Sequence, residues 1–460
     1  MTPIFADPAA TSLPLHMILP EGLEAWRAAL DSGAAAFVAA SGFEAGLGEL
    51  RLLPGAGGLS GAVLGLGSAK ARSRSRFALA RAVSALPGGA WHLTGEIDAD
   101  FARETALGWL LAGYRFDRYR TKSTAPPALL TCPEGLDPAP LLAMAEGEFL
   151  TRDLINTPAS DMGPAELEAA FLALARQFGA DTKVIRGDDL LAGNFPMIHA
   201  VGRASDRAPR LLEMNWGATG PHLTLVGKGV CFDTGGLNIK PSSGMSLMKK
   251  DMGGAATVMG LAAMIMRLAL PIRLRVLVPA VENSISGRAM RPKDILTSRK
   301  GLTVEVNDTD AEGRLVLADA LALACETPTD LVISMATLTG AARVAVGPDL
   351  APYYTDDPQV AQALEAGALA GFDPVWRLPF HNAYEAVIEP GIADLDNAPG
   401  FGFAGSITAA LFLRRFVEGP RYLHFDIYGH TPADQPARPK GGVGQGARAV
   451  LGGLPAMLGF

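Results

Sequence analysis

The feature that most constrains the fold is an alternation of strand-like and helix-like segments from about residue 180 to the end of the sequence. The apolar runs 222–233 and 272–282 are bounded by Gly or Pro and predict buried strands. The runs 252–269 and 313–326 have the length and composition of buried helices. Strands that alternate with helices are typical of a largely parallel sheet with helices on both faces. The sequence therefore predicts an α/β fold.

A boundary between two domains is predicted near residue 140. Short strands and helices punctuated by Gly and Pro fill the preceding part, and the segment 123–140 is rich in Pro and polar residues, as in a surface connection. We expect a smaller N-terminal α/β domain at 1–140 and a larger C-terminal domain with the mostly parallel sheet at 141–460. Apolar residues make up 49% of the chain and charged residues 19%, which predicts a large buried core and excludes global disorder.

Charge and cysteine content limit the classes of partner. The net charge of −7 disfavours a nucleic-acid partner, with the basic run 70–76 left as either a local phosphate-binding patch or a solvated helix face. The three cysteines are far apart and form no CxxC pair, as is typical of a reducing cytosol. The first residues lack a secretory pattern, and the longest uncharged apolar stretch, 252–266, is too short to cross a bilayer. We therefore expect a cytoplasmic protein with no membrane partner.

The segment 307-NDTDAEGRL-315 places Asp308, Asp310, Glu312 and Arg314 on every second position. In an extended chain alternate residues point to the same side, whereas residues two apart on a helix do not share a face. If the segment is extended, three carboxylates and a guanidinium lie on one side of the chain. Carboxylates this close repel one another unless a cation lies among them. A solvated acidic turn is the alternative.

Further candidate ligands adjoin other predicted elements. Asp233 follows an apolar strand, Asp251 stands at the start of a predicted helix, and Lys228 and Lys240 are nearby in sequence. Ligands of α/β proteins bind beyond the carboxyl ends of the strands, so these side chains can converge. Oxygen donors suit hard divalent cations, and a pair of ions about 3.5–4 Å apart activates water for hydrolysis. Taken singly, the Asp at the helix start would be only a cap, and a Lys in a Gly-rich loop would be only solvated.

Two long motifs, 227-GKGVCFDTGGLNIKPSSGMSLMKKDMGGAATV-258 and 309-TDAEGRLVLADAL-321, resemble those of the leucyl aminopeptidase, or cytosol aminopeptidase, family. The stretches 152-RDLINTPASDMGP-164 and 336-ATLTGA-341 agree with the family too. The resemblance implies an enzyme with two divalent ions (zinc, manganese or magnesium) that removes the N-terminal residue from peptides with a free amino group. It also implies a homohexamer in which the C-terminal domain is catalytic and the N-terminal domain assists assembly.

The resemblance further implies a role for each matching residue. The residues that match the metal ligands are Lys228, Asp233, Asp251, Asp310 and Glu312. Among them, Asp233 and Glu312 match the bridging carboxylates. Lys240 matches the electrophile near the scissile carbonyl, and Arg314 matches the arginine that holds a bicarbonate ion used as general base. The residues that match the wall of the pocket for the substrate's first side chain are Met248, Thr337 and Gly340.

Two positions depart from the family pattern. Asp308 stands where the family usually has Asn, and Tyr428 stands where many relatives have a small residue close to the substrate pocket, so the side-chain preference is open. The alternative functions are another two-metal hydrolase, such as a phosphoesterase, and a relative that has lost catalysis and acts as a binding scaffold. The paired lysines and the extended motif match disfavour the first, and the filled motif positions disfavour the second.

Overall fold

The computed structural model describes residues 2–95, 97–120 and 126–460. They form two compact units, one of Met1–Phe149 with Ala433–Lys440 and one of Leu150–Pro432 with Gly441–Phe460. Both units contain β-sheet and helices, which confirms the predicted α/β class with a smaller N-terminal and a larger C-terminal part. Among the described residues, no helix is both long and apolar enough to cross a membrane.

The first unit is built on a five-stranded sheet. Its strands are β1 (Ser12–Ile18), β2 (Leu50–Gly55), β3 (Gly58–Gly65), β4 (Gly89–Thr94) and β5 (Ala128–Leu130). Its helices are α1 (Leu23–Ala28), α2 (Ser32–Ala40), α3 (Ala69–Arg72), α4 (Ala80–Val83) and α5 (Ala99–Ala112), with a 3-10 turn at Pro20–Gly22. The strand order is β2-β3-β1-β4-β5, and β1 runs parallel to both of its neighbours. In the basic run 70–76, Arg72 donates hydrogen bonds to the carbonyl oxygens of Leu66 and Gly67, so it supports the turn before α3.

The proline-rich segment 123–140 is more than a connection. Strand β5 lies within it and pairs in parallel with β4, and helix α6 (Pro138–Asn156) begins within it. Its first residues, 123–125, lie outside the described residues. The prediction of an irregular surface crossing is wrong for Ala128–Leu130, because these apolar residues pair with the edge of the sheet and bury Ala128 and Leu130.

The second unit is built on a nine-stranded sheet with two smaller sheets beside it. Its strands are β6 (Asp181–Arg186), β7 (Arg210–Trp216), β8 (His222–Gly227), β9 (Gly229–Asp233), β10 (Arg273–Asn283), β11 (Ile295–Thr297), β12 (Thr303–Glu305), β13 (Leu331–Ala336), β14 (Ala351–Tyr354), β15 (Val375–Arg377), β16 (Leu395–Asp396), β17 (Arg421–Asp426), β18 (His430–Thr431) and β19 (Gly441–Gly442). Its helices are α7 (Pro164–Phe178), α8 (Asp189–Ala192), α9 (Pro196–Gly202), α10 (Ser242–Met245), α11 (Gly253–Arg267), α12 (Gly313–Cys325), α13 (Gly340–Val346), α14 (Pro358–Ala370), α15 (Gly405–Arg414) and α16 (Ala447–Leu458), with 3-10 helices at Met248–Met252 and Asn382–Ile388.

The middle of the nine-stranded sheet is parallel. The strand order is β15-β14-β17-β13-β8-β10-β7-β6, and β9 also pairs with β10. Strands β17, β13, β8 and β10 run parallel, whereas β14 meets β17 and β7 meets β10 in antiparallel fashion. The prediction of a mostly parallel sheet is confirmed. The carboxyl ends of β8, β9, β13 and β17 therefore meet along one side of the sheet, here named the carboxyl edge.

Strand register and a close helix bring the residues of this edge together. Gly227 of β8 lies beside Met335 of β13, and Ala336 lies beside Asp426 of β17. Helix α11 packs against these strands and is buried along 253–266. A Cβ on Gly254 would lie 2.8 Å from the carbonyl carbon of Met335 and 2.9 Å from the Cα of Ala336. Only a glycine permits this approach, since both distances are shorter than van der Waals contact.

Replacing Gly254 with Ala should lower the free energy of unfolding by about 1–3 kcal/mol, because the added methyl group meets rigid backbone. Chemical denaturation followed by circular dichroism measures this change. Gly287→Ala is a matched control, since a Cβ there meets nothing within 4 Å. The control should change the free energy by less than about 0.5 kcal/mol. Equal effects in the two variants would contradict the close packing of α11.

Candidate metal centre

Several segments of the second unit bring charged side chains to the carboxyl edge. Lys228 joins β8 to β9, and Asp233 is the last residue of β9. Asp251 lies in the 3-10 helix that precedes α11, and Glu312 directly precedes α12. Asp310 lies in a turn between β12 and α12. Each charged residue follows or precedes a buried apolar element, so the sheet and its helices place all five at one edge.

The carboxylates of this group converge. One oxygen atom from each of Asp233, Asp310 and Glu312 lies within 4.8 Å of those of the other two. Asp233 and Glu312 are buried, and Asp310 is half-buried. Burial, followed by the charge of Asp233, raises the pKa of Asp310 to about 7 and raises the pKa of Glu312 well above its usual range. Like charges held this close without a cation are therefore strongly disfavoured.

Two lysines extend into the carboxylate cluster. The ion pairs are Lys228 Nζ with Asp251 Oδ2 (2.7 Å) and Glu312 Oε1 (3.0 Å), and Lys240 Nζ with Asp233 Oδ2 (2.9 Å) and with Asp310. Burial lowers the pKa of Lys228 and of Lys240, but the neighbouring carboxylates outweigh burial and the net pKa of both is raised. The two ammonium groups thus supply part of the positive charge that the carboxylates require.

The donor set fits divalent cations. Asp251 Oδ2, Asp310 Oδ1 and Glu312 Oε1 are buried and accept no hydrogen bond from the described residues, although each lies at ion-pair distance from a lysine. Four carboxylates against two ammonium groups leave a net negative charge in a buried space, which is stable only when more positive charge enters. Carboxylate oxygens together with a lysine nitrogen suit Zn²⁺ or Mn²⁺.

Asn283 orients the cluster and was missed by the sequence interpretation. It ends β10, and its Nδ2 donates to Asp233 Oδ1 at 2.8 Å and to the carbonyl oxygen of Thr309 at 3.0 Å. The Thr309 hydroxyl donates in turn to the carbonyl oxygen of Gly235 at 2.6 Å. These bonds tie the end of β9 to the acidic turn. A polar residue at the carboxyl end of a buried strand, the signal that identified Asp233, would have found Asn283 too.

The extended interpretation of 307–314 is wrong. Asp308 Oδ1 accepts a hydrogen bond from the N–H of Asp310 at 2.8 Å, so the carboxylate of Asp308 closes a turn and stays out of the cluster. Arg314 lies in the first turn of α12. The physical reason is that a short Asp side chain can bond the backbone two residues on, which favours a turn over an extended segment. Asp310 and Glu312 nevertheless come together, through the turn.

Arg314 is buried behind the acidic turn. Its Nη1 donates to the carbonyl oxygen of Asn397 at 2.5 Å, and Asn397 Nδ2 donates to the carbonyl oxygen of Asp308 at 2.7 Å. Burial lowers the pKa of Arg314. The Nε of Arg314 is buried and has no hydrogen-bond partner among the residues that the structure describes. A buried guanidinium with an unpaired N–H group suits a small oxyanion.

The residues predicted to form the pocket wall adjoin Asp251. Thr337, directly after β13, donates from Oγ1 to the carbonyl oxygen and to Oδ1 of Asp251, at 3.0 and 2.9 Å. Met248 shares the 3-10 helix of Asp251, and Gly340 is the first residue of α13. The alternative in which Asp251 is only the cap of α11 is excluded, because Met252 occupies the N-cap position and Asp251 lies in the preceding 3-10 helix.

Asp426 holds the loop between β13 and α13 and was also missed. Its Oδ1 accepts from the N–H groups of Leu338 (3.1 Å) and Thr339 (2.9 Å), and its Oδ2 accepts from the Ser406 hydroxyl at 2.7 Å. Asp426 is buried at the end of β17. It therefore fixes the loop that carries Thr337 and leads into Gly340 but, within the part of the chain that the structure describes, forms no hydrogen bond with the three clustered carboxylates.

Two family models match the sequence. The catalytic domain of the cytosol aminopeptidase family matches residues 149–451, and the N-terminal domain of the M17 aminopeptidases matches residues 13–133. A protein named probable cytosol aminopeptidase from Leifsonia xyli subsp. xyli is 39% identical over 455 residues, which cover 94% of this chain and 91% of that protein.

Solved structures give the same assignment. The cytosol aminopeptidase of Coxiella burnetii superimposes with a TM-score of 0.93 at 41% identity and covers 99% of each chain. The bottromycin maturation enzyme BotP, solved in complex with Mn, has a TM-score of 0.86 at 34% identity over 97% of this chain and 100% of that one. The chain therefore belongs to the cytosol aminopeptidase family, and it is a metal-dependent aminopeptidase.

Proposed function

We propose that this aminopeptidase removes the first residue of peptides with a free amino group, using two divalent ions bound at the carboxyl edge. The observation that carries the proposal is the buried cluster in which four carboxylates face Lys228 and Lys240. Zinc, manganese and magnesium are the candidate ions. Manganese is supported by the relative BotP, which was solved in complex with Mn.

Five side chains would hold the two ions. Asp233 and Glu312 would bridge them, Lys228 and Asp251 would complete one site, and Asp310 would complete the other. When bound, two such ions polarise a carbonyl group and generate a nucleophilic water at neutral pH. Lys228 has to lose its proton to act as a ligand, and positive charge placed among the same carboxylates lowers its pKa in that direction.

Lys240 would stay protonated and meet the oxyanion that develops on the scissile carbonyl. It is half-buried, and its ammonium group is held between Asp233 and Asp310. A hydrogen-bond donor that is fixed before the reaction stabilises developing negative charge more than mobile water does. The two carboxylates therefore keep this ammonium charged and in position.

Arg314 would hold a bicarbonate ion that serves as general base and accepts the proton of the attacking water. Its unpaired, buried Nε supports this role, because an oxyanion would supply the missing acceptor. The remaining guanidinium is fixed by Asn397, which would hold the ion at one place beside the cluster.

Asp251 and the pocket wall would position the substrate. The free amino group would bind beside Asp251, whose Oδ1 is fixed by Thr337 at 2.9 Å. Met248, Thr337 and Gly340 would line the pocket for the first side chain. An N-terminal amine held at one point and a side chain held at another would fix the first peptide bond against the reactive groups.

We also propose a cytoplasmic homohexamer with a domain boundary near residue 140. The names of the cytosol aminopeptidase relatives support the location. The family models at 13–133 and 149–451 support the boundary. The N-terminal domain, 1–140, would assist assembly, and the domain at 141–460 would be catalytic.

The reaction is tested by supplying purified protein with Mn²⁺ or Zn²⁺ and measuring leucine release from Leu-Gly and from N-acetyl-Leu-Gly. Leu-Gly should react at least about a hundredfold faster, because acetylation removes the charged amine that the site would bind. Chelator-treated protein is the control and should be inactive. Equal rates on both peptides would contradict the proposal, as would hydrolysis of phosphate esters without peptide hydrolysis.

Gly313 gives Lys228 the space to reach the cluster. A Cβ on Gly313 would lie 2.6 Å from Lys228 Nζ and 2.8 Å from its Cδ. Gly313→Ala should move the lysine and weaken Mn²⁺ binding by about tenfold or more. The fold should persist, since the displaced atoms end a flexible side chain.

Calorimetric titration of metal-free protein measures this effect, and the unmodified chain should bind two ions. Gly244→Ala is the control, because a Cβ there meets nothing closer than 3.6 Å. Unchanged Mn²⁺ affinity in Gly313→Ala would contradict the assignment of Lys228 as a ligand.

Arg314→Met should lower kcat on Leu-Gly by about a hundredfold or more, because it removes the proposed holder of the general base. The rate of the unmodified enzyme should rise with added bicarbonate, whereas that of the variant should not. Calorimetry should still find two ions bound. Arg176→Met, on the exposed face of α7, is the control. A variant that keeps both its rate and its response to bicarbonate would remove Arg314 from this role.

A further inference from the structure

Two cations lie next to the ring of Tyr428. Lys250 Nζ is 5.2 Å from the ring centroid, and Arg343 Cζ is 4.7 Å from it. Both distances are within the range in which a cation is attracted to an aromatic face. Tyr428 is half-buried, and its backbone N–H donates to Gln445 Oε1 at 3.0 Å. Two positive groups therefore converge at one aromatic side chain.

Neither cation forms an ion pair with a carboxylate of the described residues, although the charge of Asp251 acts on Lys250. Lys250 is only 7% exposed, yet among the described residues its Nζ forms no ion pair or hydrogen bond. Arg343 is exposed, and within the same part of the chain no carboxylate pairs with it. A buried ammonium group without an acceptor is costly, and most buried polar groups have a partner. An anion brought by a ligand would give both cations an acceptor.

The cation pair adjoins the pocket wall of the proposed site. Lys250 lies between Met248 and Asp251 on one 3-10 helix, and Arg343 is on the first turn of α13, which starts at Gly340. Gly429, the neighbour of Tyr428, packs against the methyl group of Thr337: a Cβ on Gly429 would lie 3.2 Å from Thr337 Cγ2. Lys250, Arg343 and Tyr428 therefore lie beside the residues that would line the pocket, in sequence or in contact.

Charge balance points to the same class of ligand. The carboxylates of Asp233, Asp251, Asp310 and Glu312 would balance the charge of two divalent ions. Lys250 and Arg343 add further positive charge, of which Asp251 offsets only a part at Lys250. A leucine side chain would leave both cations without an acceptor, whereas a carboxylate would supply one.

We infer that Lys250 and Arg343, which both lie next to the ring of Tyr428, select substrates whose first residue is acidic. The inference rests on the proposed function, because it names the substrate class of that site. Lys250 would bind the side-chain carboxylate of an N-terminal Glu or Asp inside the pocket, and Arg343 would bind it from the exposed side. Tyr428 closes the pocket and holds the two cations at a common point.

The test compares kcat/KM for Glu-Gly and Gln-Gly, which have the same shape and differ in charge. The unmodified enzyme should prefer Glu-Gly by about tenfold or more, the range expected for a charged hydrogen bond. Lys250→Gln and Arg343→Gln should each reduce this ratio, and the double variant should bring it close to one. Lys250→Arg should retain the preference. Lys183→Gln, on the exposed strand β6, removes one positive charge elsewhere and should leave the ratio unchanged.

Equilibrium binding separates this inference from the proposed function. Calorimetry with free glutamate and free glutamine, both products of the reaction, reports the charge preference even if no peptide is hydrolysed. Tighter binding of glutamate that is lost in Lys250→Gln supports the inference whatever the rate. A ratio near one for the unmodified enzyme in both measurements overturns it. So does a preference for Gly-Gly or Ala-Gly over both peptides, which would show that Tyr428 fills the pocket.

Discussion

Repulsion among the buried carboxylates of Asp233, Asp310 and Glu312 is the interaction on which the rest of the site depends. Without cations, burial and the mutual charge drive the pKa values of Asp310 and Glu312 upward. Two lysines reduce the repulsion, because the ammonium group of Lys228 pairs with Glu312 and that of Lys240 pairs with Asp233 and Asp310. With Asp251 the site has four carboxylates, and the two lysines neutralise only half of their charge. The polypeptide can therefore fold around the cluster and still bind added positive charge strongly.

The sheet keeps these charged side chains out of the hydrophobic core, because it brings them together only at its carboxyl edge. Strands β8, β13 and β17 are buried along their length and become polar where they end, at Lys228, Thr337 and Asp426. Parallel register puts those ends side by side, so residues more than a hundred positions apart meet without any insertion into the core. The close approach of α11 to these strands then limits how far the polar ends can move, which fixes the geometry of the cluster.

Sequence reasoning recovered the elements whose signals are local. The alternation of apolar strands and helices predicted the α/β fold, and the position of Asp233 after a buried strand predicted its place at the edge. It failed where one short hydrogen bond decides the backbone: Asp308 closes a turn onto the N–H of Asp310, and the predicted extended segment does not form. Asn283 and Asp426 carry the same local signal as Asp233, a polar residue at the carboxyl end of a buried strand. The backbone groups that they bind are brought near only by the fold, so their roles could not be predicted from one stretch of sequence.

The two cations next to Tyr428 also could not be predicted from the sequence. Nothing in the local sequence around Lys250 or Arg343 indicates that both will lie next to one aromatic ring. In the folded protein Lys250 is only 7% exposed and forms no ion pair among the described residues, so an acceptor carried by a ligand would stabilise its charge. Because Lys250 and Arg343 both lie next to the ring of Tyr428, two charges that are distant in the sequence together become a candidate determinant of specificity.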